Sequence, residues 1–240
     1  MEIRIFENAE EIAVAAAELY KELLNGKPDA VLGLATGATP VPTYGKLIEM
    51  YKNGEISFKD VTTFNLDEYC DLDVNDKNSY YTFMHENLFN FVDIKEENVN
   101  FLNGNAPDCE AESKRYAEAI RAAGGIDLQL LGIGTNGHIA FNEPADEFTD
   151  EAFKVTLTQS TINSNQKYFG DVPMPRYAMT MGIGSIMRSK KILLIATGEA
   201  KADAIKKLAS GEVTPQVPCS ILNTHENAII MVDKAAAALL

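Results

Sequence analysis

Short apolar runs, each bounded by turn-forming residues, recur along the whole chain. Runs of this length and composition are typical of strands that are buried on both faces of a parallel sheet. They predict strands at residues 3–6, 30–35, 58–66, 126–131, 155–158, 178–183, 191–196 and 228–233.

Segments that mix apolar and polar residues at helical spacing lie between these runs. Asn8 and Asp108 are predicted N-caps, because each directly precedes such a segment. The predicted helices cover residues 9–24, 79–89, 109–123, 161–169 and 185–188, with one more that begins near residue 41 and one that runs from the 197–201 turn through residue 208.

The alternation of strands and helices, without repeats or a low-complexity linker, predicts a single α/β domain over residues 1–240. We expect a doubly wound, mostly parallel sheet flanked by helices, in a Rossmann-like three-layer arrangement. Residues 156–180 form a weakly apolar insertion, and this composition predicts a mobile lid.

A glycine-rich stretch follows the predicted strand at 126–131. Asn136, His138 and Glu143 arrive together just past the end of this strand. Ligands bind at the carboxyl edge of an open parallel sheet, so an amide, an imidazole and a carboxylate at this edge form a plausible acid/base set. The alternative is an ordinary glycine-rich turn with a hydrogen-bonded structural histidine.

Two adjacent acids, Asp67 and Glu68, follow the predicted strand at 58–66. Successive residues of an extended chain point in opposite directions, so only one of the two is expected to face the cleft. A helix cap or a surface turn is the alternative interpretation of this pair.

Small residues connect the strand at 30–35 to the next helix. The residues Thr36, Gly37, Ala38 and Thr39 expose backbone N–H groups at a helix start, which predicts an anion site. Lys201 lies in the turn that opens another helix, where a lysine is unfavourable unless an anion binds beside it. An ordinary capped turn and a solvated lysine are the alternatives.

The acidic composition bears on the choice of partner. The formal net charge is −14, with 46% hydrophobic and 23% charged residues. This balance is typical of a globular protein and argues against nucleic acid or an anionic membrane as partner. It remains compatible with a phosphorylated metabolite, because a pocket in an acidic protein can carry local positive charge.

Cysteine and histidine usage argues against metal sites and disulfides. Cys70, Cys109 and Cys219 are sparse and widely spaced, and the three histidines form no HxH or HExxH pattern. The first residues carry no signal-peptide pattern, and no apolar run is long enough to span a bilayer. We therefore expect a cytoplasmic protein without a metal or cofactor.

Four stretches together resemble the glucosamine-6-phosphate deaminase family, over essentially the whole chain. They are residues 34–40, 64–69, 102–107 and 132–144, and the most specific runs are Asn65-Leu66-Asp67-Glu68-Tyr69 and Gly137-His138-Ile139-Ala140-Phe141-Asn142-Glu143-Pro144. The family converts glucosamine 6-phosphate to fructose 6-phosphate and ammonia. The resemblance implies that a sugar phosphate is the partner of this chain, as a monomer or small homo-oligomer.

The same resemblance implies roles for the candidate residues. Asp67 would carry the proton from C2 to C1 of the sugar. His138 would open the pyranose ring, with Glu143 and Asn136 orienting and tuning its imidazole. The neutral-range pKa of histidine suits the ring step.

The phosphate would lie on the 36–39 loop, with Lys201 and the lid residue Lys167. Family members usually have arginine at the position of Lys167, and some have aspartate at that of Asn136. A lysine loses the bidentate phosphate contact, which predicts looser substrate binding or a differently closed lid. Longer, hexameric members carry basic residues where this chain has Phe153 and Val155, so we expect no allosteric activation.

Three other functions are alternatives to this interpretation. A 6-phosphogluconolactonase would share the fold and phosphate loop but needs no C2 proton carrier. A sugar-phosphate isomerase would use a similar proton transfer without releasing ammonia. A sugar-phosphate-sensing domain is the non-enzymatic alternative, and the retention of Asp67, His138 and Glu143 together favours an enzyme.

Overall fold

The computed structural model describes residues 1–240 of the chain, apart from the side chain of Ser164. Its strands are β1 (Glu2–Phe6), β2 (Val31–Leu34), β3 (Thr62–Asn65), β4 (Asp67–Tyr69), β5 (Val99–Asn100), β6 (Leu128–Leu131), β7 (Phe153–Thr156), β8 (Tyr177–Thr180), β9 (Ile192–Ala196) and β10 (Ala228–Asp233). Its α-helices are α1 (Ala9–Gly26), α2 (Val41–Lys52), α3 (Tyr80–Asn87), α4 (Cys109–Ala122), α5 (Gln159–Phe169), α6 (Ile183–Met187) and α7 (Ala202–Ala209). Short 3₁₀ helices lie at Phe89–Phe91, Glu96–Asn98, Glu199–Lys201 and Pro218–Thr224.

Seven strands form a parallel central sheet in the order β1-β10-β9-β6-β2-β3-β5. The chain moves from β2 to β3 in one direction and from β6 to β9 in the other. The order therefore reverses between the neighbours β2 and β6, and the loops after these two strands separate at their carboxyl ends. Such a switch point is where open α/β sheets bind ligands.

The predicted strands at 3–6, 30–35, 126–131, 191–196 and 228–233 are confirmed, whereas those predicted at 155–158 and 178–183 lie closer to the N-terminus, as β7 and β8. Every residue of β2, β6 and β9 is buried, because helices cover both faces of the sheet. The predicted caps are confirmed as well. Asn8 accepts the backbone N–H of Glu11 at 3.0 Å, and Asp108 accepts those of Glu110 and Ala111, each at 3.0 Å. The doubly wound α/β fold expected from the sequence is thus the observed one.

A second sheet was not predicted. β4, β8 and β7 form a three-stranded antiparallel sheet beside the central one. The predicted strand at 58–66 is shorter than expected at both ends: residues 58–61 form a turn, in which the N–H of Val61 donates to the carbonyl of Phe58 at 3.1 Å, and the chain leaves the central sheet after β3 to enter β4. Leu66 marks this step: its N–H bonds to Leu34 of the central sheet, and its carbonyl accepts the N–H of Met181 beside β8.

The segment predicted as a lid carries α5 between β7 and β8. Leu157, Phe169 and Met174 of this segment are buried with Tyr69 and Phe141 in a small apolar core of their own. The predicted helix at 161–169 starts earlier than expected, at Gln159. Mobility of this segment stays a prediction. Among the described residues, no helix combines the length and apolarity that crossing a bilayer requires.

Candidate active site

The switch point between β2 and β6 opens into a cavity of about 190 Å³. The loop at 36–39 lines one side of it, and Gly134 and His138 line another. Asp67 and the α5 residue Asn165 complete the lining that matters for chemistry. The structure thus brings the predicted anion loop, the predicted carboxylate and the predicted imidazole into one cavity.

The 36–39 loop meets the requirements for binding an anion. Gly37 has a φ of +95°, a left-handed conformation that favours glycine. The helix α2 begins at Val41, and its N-cap Pro40 makes no side-chain capping bond. The N–H groups of Val41 and Thr43 in the first turn of α2 therefore have no side-chain acceptor, and Pro42 between them has no N–H to satisfy. A phosphate is a suitable partner for such a helix start.

Asp67 is the acid that faces the cavity, as expected for one of the adjacent pair. Its side chain is only 7% exposed. Burial, with a smaller contribution from the neighbouring Glu68 charge, raises the pKa of Asp67 to about 8. This carboxyl group therefore holds a proton far more readily than an ordinary aspartate does.

Glu68 points away from the cavity and has a structural role. Its carboxylate accepts backbone N–H groups from Tyr69 at 2.8 Å, Tyr80 at 3.0 Å and Tyr81 at 2.9 Å. Two of these donors are the first residues of α3, so the helix-cap interpretation is correct for this residue. Burial raises the pKa of Glu68, and the three backbone donors oppose that rise.

His138 is held by the glycine-rich loop after β6. A side chain at Gly134 would overlap the imidazole ring, so the ring occupies space that only glycine leaves open. The backbone N–H of Gly134 also donates to the carbonyl of His138 at 2.8 Å. Ala140, two residues on, adopts a φ of +50°, which is uncommon for a residue with a side chain. The conformation of this loop thus leaves room for the imidazole ring of His138.

Glu143 lies beside His138, with its Oε2 atom 3.4 Å from the ring Nδ1. Asn136 Nδ2 donates to the same oxygen at 2.6 Å, and the Asn136 Oδ1 atom accepts the N–H of His138 at 3.2 Å. Burial alone would raise the pKa of Glu143, but His138, Asn136 and Thr161 outweigh it and lower this pKa to about 2. A permanent carboxylate therefore faces the imidazole.

Two threonines at the start of α5 complete the environment of Glu143. Thr161 donates to its Oε1 atom at 2.8 Å and Thr158 at 3.2 Å. Neither threonine was predicted as a site residue. The available signal was the T-x-x-T spacing of Thr158 and Thr161, which lies at the observed start of α5 but outside or at the edge of the helix predicted at 161–169.

The two candidate lysines differ in their placement. Lys201 is half-buried, ends the 3₁₀ helix before α7, and donates from Nζ to the carbonyl of Ile133 at 2.6 Å. It lines a cavity of about 170 Å³ that shares His138 with the first one, and burial lowers the pKa of Lys201. Lys167 is exposed, with its Nζ atom 4.9 Å from the centre of the Tyr168 ring and not among the residues that line either cavity. Its phosphate role stays a prediction.

Tyr80, in the first turn of α3, also lines the cavity, although it was not predicted as a site residue. Its hydroxyl donates to that of Tyr69 at 2.9 Å, and Asn165 makes a polar contact with the Tyr69 hydroxyl. Cavity-facing residues on α3 and α5 are thus connected through β4. The arrangement as a whole offers a protonatable carboxyl group, an imidazole paired with a carboxylate, and an anion loop, which suits proton transfer on a phosphorylated substrate.

Comparisons with known proteins find relatives over the whole length of the chain. The family model described as glucosamine-6-phosphate isomerases/6-phosphogluconolactonase matches residues 6–231. The glucosamine-6-phosphate deaminase of Thermoanaerobacter sp. (strain X514) is 51% identical over 241 residues, covering 100% of this chain and 95% of the relative. Glucosamine-6-phosphate deaminase 2 of Bacillus subtilis (strain 168) is 50% identical over 240 residues, covering 99% and 96%.

Solved structures show the same fold. A structure described as a monomeric glucosamine-6-phosphate deaminase superimposes with a TM-score of 0.96 at 42% identity, covering 100% of both chains. A 6-phosphogluconolactonase from Thermotoga maritima superimposes with a TM-score of 0.75 at 21% identity, covering 97% of this chain and 99% of that one. The second likeness concerns the fold alone.

Proposed function

The chain belongs to the family of glucosamine-6-phosphate isomerases and 6-phosphogluconolactonases, and we propose that it converts glucosamine 6-phosphate to fructose 6-phosphate and ammonia. The observation that carries this proposal is the shared cavity of Asp67, His138 and the 36–39 loop. Relatives about half identical over their full length, named for this activity, support it.

Substrate binding would begin at the phosphate. The backbone N–H groups of the 36–39 loop and the start of α2 would donate to its oxygens, with Thr36 and Thr39 adding hydroxyl donors. Lys201 would leave the carbonyl of Ile133 for the phosphate, since a cation buried against a neutral carbonyl gains from an anionic partner. Lys167 would join from α5 when the lid closes.

Ring opening would be the task of His138. The imidazole takes the proton from the O1 hydroxyl and returns it to the O5 atom as the C1–O5 bond breaks. Glu143 stays ionised throughout, given its pKa of about 2, and stabilises the imidazolium that forms in between. Asn136 fixes the Glu143 oxygen that faces the ring.

Asp67 would then move one proton between neighbouring carbons. Its carboxylate takes the proton from C2 of the open-chain sugar, and the resulting enolamine receives it at C1. Water hydrolyses the imine left at C2, which yields fructose 6-phosphate and ammonia. The ammonium group of the substrate would lie beside Asp67 and favour its ionised form, countering the effect of burial.

A lactonase is the second candidate, because the fold is shared with 6-phosphogluconolactonases. Hydrolysis of a lactone requires no carbon-proton carrier, so the buried Asp67 favours the deaminase. A solved relative described as monomeric supports a monomer in solution, and we extend the proposal to a monomeric enzyme of the cytoplasm.

A coupled ammonia assay on the purified protein tests the proposal. We expect ammonia and fructose 6-phosphate in equal amounts from glucosamine 6-phosphate, and no acceleration of 6-phosphogluconolactone hydrolysis over buffer. Asp67→Asn is the control for contaminating activity, because it keeps the side-chain shape and removes the proton carrier. Lactone hydrolysis without ammonia release would overturn the assignment.

A further inference from the structure

The two oxygens of the Glu143 carboxylate have separate sets of partners. Oε2 faces the loop after β6, where Asn136 donates at 2.6 Å and the His138 ring nitrogen lies at 3.4 Å. Oε1 faces the start of α5, where Thr161 and Thr158 donate at 2.8 Å and 3.2 Å. One side chain therefore joins the imidazole to the helix of the lid segment.

Thr158 is the N-cap of α5, and its Oγ1 atom accepts the N–H of Thr161 at 3.2 Å. Its single hydroxyl proton has two acceptors within reach, the Thr161 Oγ1 atom at 3.0 Å and the Glu143 Oε1 atom at 3.2 Å. A proton given to Thr161 leaves the Thr161 hydroxyl proton for Glu143, so Thr158 supports the Thr161 bond in either case. Thr161 is 7% exposed and donates at the shorter distance. The carboxylate also lies at the positive end of the α5 dipole.

Asn165 extends this connection to the cavity. It follows Thr161 by four residues, so the two side chains share one face of α5. Asn165 lines the cavity of Asp67 and His138. The position of Asn165 over the cavity and the orientation of Glu143 beside His138 therefore depend on the same helix start.

We propose that Thr161, supported by Thr158, is a positioning residue for ring opening that acts through Glu143 and links the lid helix to that step. The proposal rests on the proposed deaminase function for its catalytic part. Its structural part, the effect of Thr161 on the His138–Glu143 pair, holds for any substrate of this cavity.

Three variants test the proposal. Thr161→Val removes the hydroxyl at nearly constant volume, and Thr161→Ser restores it. Thr156→Val is the matched control, since Thr156 lies exposed on β7 just before the helix start. Should Thr161→Val fail to fold, Thr161→Ala removes the same hydroxyl and leaves a smaller side chain at this position.

The first readout is the NMR spectrum of the histidine rings, of which the chain has three. Without the Thr161 donor, the Glu143 carboxylate is free to turn away from the imidazole, so the ring resonances of His138 should shift and broaden at constant pH. Asp67 and Lys201, the other charged groups lining the cavities around His138, are left in place by the variants. His85 and His225 are internal controls.

The second readout is ammonia release from glucosamine 6-phosphate. We expect Thr161→Val to lower kcat roughly 10-fold with KM nearly unchanged, because the imidazole loses a fixed partner rather than the substrate losing a contact. Thr161→Ser should recover most of this loss. A Thr161→Val protein that matches Thr156→Val in both readouts would overturn the proposal. If the wild-type protein forms no ammonia, the proposed function fails, and the NMR spectra of the histidine rings still decide whether Thr161 positions Glu143 beside His138.

Discussion

Asp67 is an acid placed where its charged form is disfavoured. It is surrounded by protein and has a second acid, Glu68, as its neighbour in sequence. A proton carrier must both accept and release a proton, and a pKa of about 8 keeps the two forms of Asp67 close in free energy near neutral pH. An ordinary aspartate, with a pKa near 4, would be too weak a base for this task.

Replacing Asp67 separates ring opening from carbon-proton transfer. In Asp67→Asn, we expect substrate binding to survive and exchange of the C2 hydrogen with solvent deuterium to stop, because an amide accepts no proton. NMR of the sugar in D₂O measures this exchange. Exchange at the wild-type rate would remove Asp67 from its proposed role.

The same substitution should stabilise the protein at alkaline pH. The pKa of Asp67 is about 8 in the folded protein and near 3.8 when unfolded. Between these values the folded state binds more protons, so the Asp67 contribution to the free energy of unfolding falls as pH rises from about 4 to about 8. The amide side chain of Asp67→Asn does not titrate, so this variant does not lose stability through this residue as the pH rises.

Urea unfolding at pH 5 and pH 8.5 measures the effect. The variant should gain stability over the wild type at both pH values, with the larger gain at pH 8.5. Asp29→Asn, which removes a carboxylate from an exposed turn, is the charge-matched control. A gain that does not grow with pH would contradict the inferred burial cost of Asp67.

At the scale of elements, the loop after β6 positions His138 through the space left by Gly134. We expect Gly134→Ala to displace the imidazole and lower kcat at least roughly 10-fold, while the fold persists because the backbone at this residue is not left-handed. Steady-state kinetics and thermal unfolding measure the two effects.

Gly45 provides the control for this substitution. It lies in α2 with open space around the position of a side chain. Gly45→Ala should therefore leave kcat unchanged and raise the free energy of unfolding by roughly 0.5–1 kcal/mol, since alanine loses less conformational freedom in a helix. Equal activity of the two variants would show that the space at Gly134 does not position the ring.

The sequence was most informative about elements that carry a local signal. Strands such as β9 are apolar at every residue because both faces are covered, and caps such as Asp108 stand directly before their helices. The three-stranded antiparallel sheet is marked by no comparable local pattern in the sequence. β4 spans three residues, and its partner β8 lies more than a hundred residues away in sequence, so its pairing depends on the tertiary fold.

The same limit applies to the site. Asp67, His138 and Glu143 could be predicted because each follows a recognisable strand. The contact between Thr161 and Glu143 could not, since it arises only when α5 packs over the loop after β6. The placement of Lys167 on the exposed side of α5 was equally invisible, because the direction of a side chain depends on where its helix starts.

At the scale of the whole molecule, the topology explains why the site residues are scattered in sequence. The loops after β2 and β6 diverge at the switch point, and β4 leaves the central sheet beside them. Lys201 lines the neighbouring cavity that shares His138. It supplies a local positive charge there, although the formal net charge of the chain is −14. Under the proposed function, a phosphorylated substrate would therefore be recognised by local groups at one sheet edge rather than by the overall charge.

The surface around β7 bears on regulation. Resemblance to longer, hexameric members assigns basic effector-binding residues to the positions of Phe153 and Val155. In this chain neither is basic, and Val155 packs against the small core of the lid segment instead. Lys154, between them, extends over the Tyr177 ring, with its Nζ atom 4.8 Å from the ring centre. By this resemblance, the two positions that would hold an anionic effector carry apolar side chains in this chain.

We expect a monomer with hyperbolic kinetics that N-acetylglucosamine 6-phosphate does not activate. Light scattering after size exclusion should give a mass near 26.3 kDa, and velocity curves with and without the acetylated sugar should overlay apart from competitive inhibition. Phe153→Arg with Val155→Lys is the informative variant. If the lack of regulation were due only to these two side chains, the double variant would be activated by N-acetylglucosamine 6-phosphate. We expect no activation, because in a monomer no neighbouring subunit completes the effector site. A sigmoidal wild-type curve that the acetylated sugar makes hyperbolic would contradict both parts of this prediction.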